Sequence, residues 1–177
     1  MARIALTGIL AVGLEWIRVL ASRQPGAAVP ALLLGGLALC LLGIGWAPRS
    51  LGLERSRVGY RILGGLALAA ALLLPAAVRW HGGPILTPPL ALAAIAVSVG
   101  EEVAFRGALY AAIEVVWGAP AAIAGSALLF VTGHLLSHPT EFLLPVLAVG
   151  VLLAAWRWAC RDLVGPIVGH SLADLAL

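Results

Sequence analysis

Carboxylates, imidazoles and arginines stand inside apolar runs long enough to cross a bilayer, and that conflict restricts the fold more than any other feature of the chain. Runs at residues 29–47, 62–78, 85–116, 119–136, 142–156 and 163–177 are bounded by Pro, Gly and Arg, which a helix in hydrocarbon does not hold in clusters or unpaired. Hydrophobic residues make up 62% of the 177 and charged residues 11%. The bilayer is therefore the solvent. At roughly 20 apolar residues per pass, the chain predicts an all-α, polytopic transmembrane bundle of about six or seven helices. No internal repeat, low-complexity tract or soluble domain interrupts it.

A further run, 4–20, carries Glu15 and Arg18 three apart on one face, where they can pair. It reads as a weak span or as a helix lying in the interface. A signal peptide is a third option, because Arg3 precedes the apolar stretch, although no small-x-small cleavage site follows. In the 85–116 run, Pro88 and Pro89 put the start of regular helix after them, and the helix continues past Glu101 and Glu102. Gly165, Gly169 and Ala173, four apart, form a smooth stripe that lets another helix approach and gives the last helix a central place.

All eleven basic residues are arginine and the formal net charge is +3, which excludes a nucleic-acid surface. Arg49, Arg55, Arg57 and Arg61 in the 48–61 connection, with Arg157 and Arg161 after Trp156, fall on one side of the alternating passes. The excess of arginine makes that side cytoplasmic, with the 79–84 and 136–141 connections outside. Arg18 and Arg23 run against this trend. Cys40 and Cys160 are far apart with no Cys-x-x-Cys pair, and read as packing residues.

A charged group in hydrocarbon costs from roughly 3 to above 10 kcal/mol unless it meets a partner or a wet cavity. Glu102 and Arg106 are four apart and meet as an ion pair, which by itself reads as structural glue, while Glu101 is rotated by about 100° and left free. A second acid beside a satisfied pair adds cost without a contact, which makes Glu101 the first catalytic candidate. Phe130 and His134 share one helix face, as do His170 and Asp174. Either histidine alone reads as an interhelical hydrogen bond. A free carboxylate, two imidazoles and another carboxylate on three helices are together the parts needed to activate a water, with or without a metal. His81 and His138, among Ser, Pro and Gly at helix ends, read as solvated loop residues, and Glu114 beside Trp117 as interfacial.

Glu101-Glu102-Val-Ala-Phe-Arg106, Phe130-Val-Thr-Gly-His134 and His170-Ser-Leu-Ala-Asp174 resemble, in order and spacing, the three motifs of the CAAX protease and bacteriocin-processing family of intramembrane endopeptidases, also called the Abi family. Phe105, Gly107 and the Pro-Ile-x-x-His run agree as well. The resemblance covers residues 85–177 as a catalytic core, and residues 1–84 are transmembrane helices without a recognisable motif. It implies hydrolysis of a peptide bond in a membrane-associated peptide or protein near the bilayer surface. By carry-over, Glu101 and His134 activate water, His170 and Asp174 bind metal or stabilise the oxyanion, and Glu102 with Arg106 holds the helix in register. Zinc or another divalent metal, on Glu101, His134, His170 and Asp174, is one implied option, and a metal-free, glutamate-driven mechanism is the other. Many members carry Asn where this chain has Asp174. An ionised Asp donates no hydrogen bond, so Asp174 must be protonated, orient His170 or ligate a cation.

The expected function is thus that of a multi-pass enzyme of the bacterial plasma membrane, with the lipid bilayer and a peptide or membrane-protein substrate as partners. The arginine-only, Ala- and Leu-rich composition looks bacterial, which favours peptide pheromones, bacteriocin precursors or a partner membrane protein over prenylated termini. Two other readings use the same polar groups. One is a non-proteolytic chaperone, scaffold or self-immunity protein. The other is a proton-coupled transporter, against which the absence of repeated halves stands.

Overall fold

The computed structural model describes residues 1–54, 56–77 and 86–176, without the side chains of 75–77. His81, the 79–84 connection and Arg55 lie outside the described residues. The helices are α1 (Ala2–Ser22), α2 (Ala28–Cys40), the single turn α3 (Pro48–Leu51), α4 (Val58–Ala77), α5 (Pro88–Glu101), α6 (Tyr110–His134), α7 (Leu143–Cys160) and α8 (Val164–Ala176). A π-helical stretch, Glu102–Leu109, joins α5 to α6 without a break. No strand occurs among the described residues.

Local chemistry accounts for the boundaries. Pro88 and Pro89 occupy the first turn of α5, where a missing N–H leaves nothing unsatisfied. The helix therefore starts at Pro88, not after the prolines. Gly118 stands at φ 80° and ψ 174°, ahead of Pro120, and splits α6 into two legs where the apolar runs stop at 116 and resume at 119. The Asp162 carboxylate opens α8 by accepting the amides of Val164 at 3.0 Å and Gly165 at 2.8 Å, which satisfies donors the helix cannot.

The molecule is apolar outside and polar within. Ile9, Ile17, Leu34, Leu63, Val115 and Leu144 are 61–84% exposed, whereas Glu15, Glu101, Glu102 and Arg106 are at most 2% exposed. That inversion suits hydrocarbon rather than water. α1, the continuous Pro88–His134 helix and Thr140–Cys160 are each long and apolar enough to cross a membrane, with shorter apolar helices at Ala28–Gly43 and Val58–Leu74.

α4 lies along α8, α2 along α5, α6 against α7, and α1 against both α2 and α6. The stripe on α8 serves the close approach expected of it, since a Cβ on Gly169 would stand 2.8 Å from Leu68 Cβ. α8 also packs on α5, which gives it the central place. α1 buries both Glu15 and Arg18, as a bundle helix does and a helix lying on a membrane surface does not. The 48–61 connection and the one after Trp156 meet at one end: Arg61 reaches Asp162 at 3.1 Å, and Arg157 donates to the Ser50 carbonyl at 2.8 Å.

The closest crossing is between α2 and α5, where Gly36 meets the backbone of Ala96 and Val97, and Gly100 meets the Gly36 carbonyl. Any Cβ at position 36 pushes α2 off α5. Gly36→Ala is expected to destabilise the bundle by about 1–3 kcal/mol through overpacking, read as a lower thermal midpoint in detergent. An unchanged midpoint would mean that the two backbones are not in contact.

Candidate active site

Glu101 ends α5 at the point where the helix widens into its π turn, one residue before Glu102. Both carboxylates point inward. Glu102 Oε1 accepts from Arg106 Nη1 at 2.9 Å, a pair with both side chains fully buried. The same oxygen lies 2.8 Å from His170 Nδ1. Glu102 is therefore more than structural glue, because it also fixes the ring that α8 brings to the site. The Arg106 guanidinium lies 3.9 Å from the ring centre of Phe130, whose π face receives the cation. Phe130 in turn packs at 4.3 Å against His134. The aromatic residue of the second motif thus separates the ion pair from one imidazole.

His134, the last residue of α6, sets Nδ1 at 2.8 Å from the Phe130 carbonyl. A carbonyl only accepts, so this nitrogen carries the hydrogen, and Nε2 of the neutral ring presents a lone pair. His170 is tied in the same sense, Nδ1 toward a carboxylate. Glu101 Oε2 faces both free nitrogens, at 3.9 Å from His134 Nε2 and 3.8 Å from His170 Nε2. Asp174 Oδ2 lies 3.7 Å from His170 Nε2 and accepts from Ser98 Oγ at 2.7 Å. All six residues singled out in the three motifs thus meet in one place. Counting 1.5 Å per residue along full-length spans does not bring Glu101, His134 and His170 to one depth.

Glu101 differs from expectation in one respect: it is not free. Its Oε1 accepts from Arg18 Nη2 at 3.0 Å, and the same nitrogen contacts Glu15. The stem of Arg18 passes over Gly35, where a Cβ would come within 2.7 Å of it. Arg18 and Ser98 are the site residues that the motifs leave out. An arginine about one turn from the end of an apolar helix was the available signal for the first. A serine one turn before Glu101 carries no comparable mark.

A cavity of about 350 Å³ opens onto these groups, lined on its polar side by Arg18, Glu101, His134, His170 and Asp174. Leu72, Val97, Phe142, Pro145, Val146 and Val149 form an apolar wall, and Ser137 and His138 a rim. His138 is an exposed connection residue, as expected, but stands at the mouth of the site, and partial burial together with His134 holds its imidazole below the ordinary histidine range. Glu114 pairs at 2.8 Å with the exposed Arg161, far from the cavity.

A tetrahedral zinc site with bonds of 2.0–2.2 Å holds its donor atoms about 3.4 Å apart. The spacings of 3.7–3.9 Å here are wider, and a guanidinium already neutralises Glu101. Among the described residues no group of three or more His, Cys, Asp or Glu side chains has the arrangement of a metal centre. As placed, the donors stand wider apart than a bound zinc holds them. They do suit a water, because Glu101 Oε2 and His134 Nε2 are acceptors facing one another and need a shared donor, and hydrogen bonds of about 2.8 Å on either side span the gap.

A bundle with a lipid-facing exterior and a buried cluster of acids, imidazoles and guanidiniums is an integral membrane protein built around a polar chamber. Residues 83–176 match the family model described as type II CAAX prenyl endopeptidase Rce1-like. The match spans more than half of the chain, and the protein belongs to this family of CAAX-type membrane endopeptidases. The resemblance carried by the three motifs is borne out. No curated protein and no solved structure matches the chain.

Proposed function

We propose that the protein hydrolyses a peptide bond of a membrane-associated polypeptide with a water activated by Glu101, without a resident metal. The observation that carries this reading is the convergence of Glu101 Oε2 with the Nε2 atoms of His134 and His170, at 3.9 and 3.8 Å. A water held there donates one hydrogen to Glu101 and the other to an imidazole. As its oxygen bonds to the substrate carbonyl carbon, the proton passes to the Glu101 carboxylate. When the tetrahedral intermediate collapses, the C–N bond breaks and Glu101 returns that proton to the departing amine. Arg18 clamps the other oxygen of Glu101, so that Oε2 stays aimed at the water. Glu102 steers His170, and Ser98 keeps Asp174 beside it. The apolar wall of Leu72, Val97, Phe142, Pro145, Val146 and Val149 accepts the side chains that flank the scissile bond.

The test is hydrolysis by reconstituted protein of peptides anchored in vesicles, run in ¹⁸O-labelled water. Expected is one labelled oxygen in each new carboxyl terminus, at a rate that removal of His134 and His170 together reduces to background. A peptide library that yields no new labelled terminus would overturn the reading in favour of a binding role. Extensive dialysis against a chelator is expected to change turnover by less than about twofold. Loss of activity on chelation, restored by zinc, would refute the metal-free part alone.

A further inference from the structure

We infer that the catalytic cavity opens on the non-cytoplasmic face of the membrane, so that its substrates are exported or membrane-anchored polypeptides whose scissile bond lies outside the cytoplasm. The statement about substrates rests on the proposed hydrolase. The orientation rests on the distribution of charge.

The two ends of the bundle differ sharply in arginine. Arg3 lies over the Trp46 ring at 3.6 Å. Arg49 and Arg61 pair with Glu54, Arg61 also reaches Asp162, and Arg161 pairs with Glu114. Arg57 precedes α4 at the same end, and Arg157 holds the Ser50 carbonyl there. At the opposite end Arg23 donates to the Leu136 carbonyl, Arg18 is held at the cavity by Glu15 and Glu101, and Arg79 follows α4 in the sequence, so that end has the smaller count. Acidic partners do not cancel the asymmetry, because retention on the cytoplasmic side follows the count of Lys and Arg near the span ends, not net charge. The arginine-rich end is the cytoplasmic one.

The cavity belongs to the other end. His134 closes the leg of α6 that starts at Gly118, near the Glu114–Arg161 pair, and runs away from it. The rim residues Ser137 and His138 and the wall residue Phe142 all lie in the connection that follows. The cavity lined by His134 and Asp174 therefore opens at the end with little arginine. A peptide dissolved in the cytoplasm has no path to Glu101 along this cavity.

Thiol accessibility in intact cells tests this without using catalysis. Cys160 is exposed at the arginine-rich end. Ser137 and Thr140 are exposed at the rim and just beyond it. In a background with Cys40 and Cys160 replaced by Ala, Ser137→Cys and Thr140→Cys are expected to react with a membrane-impermeant maleimide in intact spheroplasts. Cys160, in its own background, is expected to react at least tenfold more after permeabilisation than before. Rim cysteines that label only after permeabilisation, with Cys160 reached in intact cells, would overturn the orientation and leave the hydrolase reading standing. Failure of the vesicle assay would do the reverse.

Discussion

Glu101→Gln is expected to lower turnover by about 10²–10⁴-fold, the usual contribution of a general base, and to leave the folded protein intact. The amide keeps an oxygen for Arg18, which donates to Glu101 Oε1 at 3.0 Å, so α1 remains tied to α5. What changes is the second atom. In place of Oε2, a proton acceptor facing the Nε2 atoms of two imidazoles, stands an NH₂ group that only donates. It can bind neither the water in the attacking orientation nor its proton. Turnover measured on vesicle-anchored peptide, beside a thermal midpoint in detergent, separates the two effects. Activity within tenfold of the parent at an unchanged midpoint would remove Glu101 from the mechanism.

Arg106→Leu carries the second large effect, and it falls on stability. Arg106 and Glu102 are both wholly buried and meet at 2.9 Å. Deleting one charge leaves the other unpaired in a low-dielectric interior, a loss of about 3–5 kcal/mol in comparable buried pairs. His170 stays as a neighbour of Glu102 but does not replace the permanent charge. The expected result is a large fall in the midpoint of denaturant unfolding. Glu102→Gln added to Arg106→Leu should recover part of the loss, because it removes the stranded charge. A single variant as stable as the parent would mean that the pair does not stabilise the bundle.

Much of the fold could be read along the chain, because each apolar run and each breaker acts locally. The stop of one apolar run at 116 and the start of the next at 119 marked the split in α6, and the stripe with Gly169 marked a close helix approach. The six motif residues were legible because i, i+4 spacing keeps each pair on one face even where the helix opens into a π turn, as at Glu102 and Arg106. Contacts between distant segments were less accessible. Arg18 and Glu101 are 83 residues apart in sequence, and nothing in the pairing of Arg18 with Glu15 announces a third partner. The bond from Glu102 to His170 was hidden for a related reason. A carboxylate already matched to Arg106 looks satisfied, yet one oxygen has lone pairs for two donors. Ser98 was hidden because a serine in a helix more often hydrogen-bonds its own backbone, and here its one hydroxyl hydrogen is shared between Asp174 and the Ala94 carbonyl, the latter at 2.9 Å.

The reach of Arg18 across Gly35 to Glu101 separates the part of the chain that a family signature detects from the part that makes a working machine. The match begins at residue 83, and a segment cut there would still hold every diagnostic residue. It would lack the guanidinium that fixes one oxygen of Glu101, as well as the helix whose glycine admits it. Inheritance of the three motifs therefore does not mean inheritance of the whole centre. In this chain a change at Arg18 or Gly35 would alter the poise of Glu101 without touching any of the three motifs.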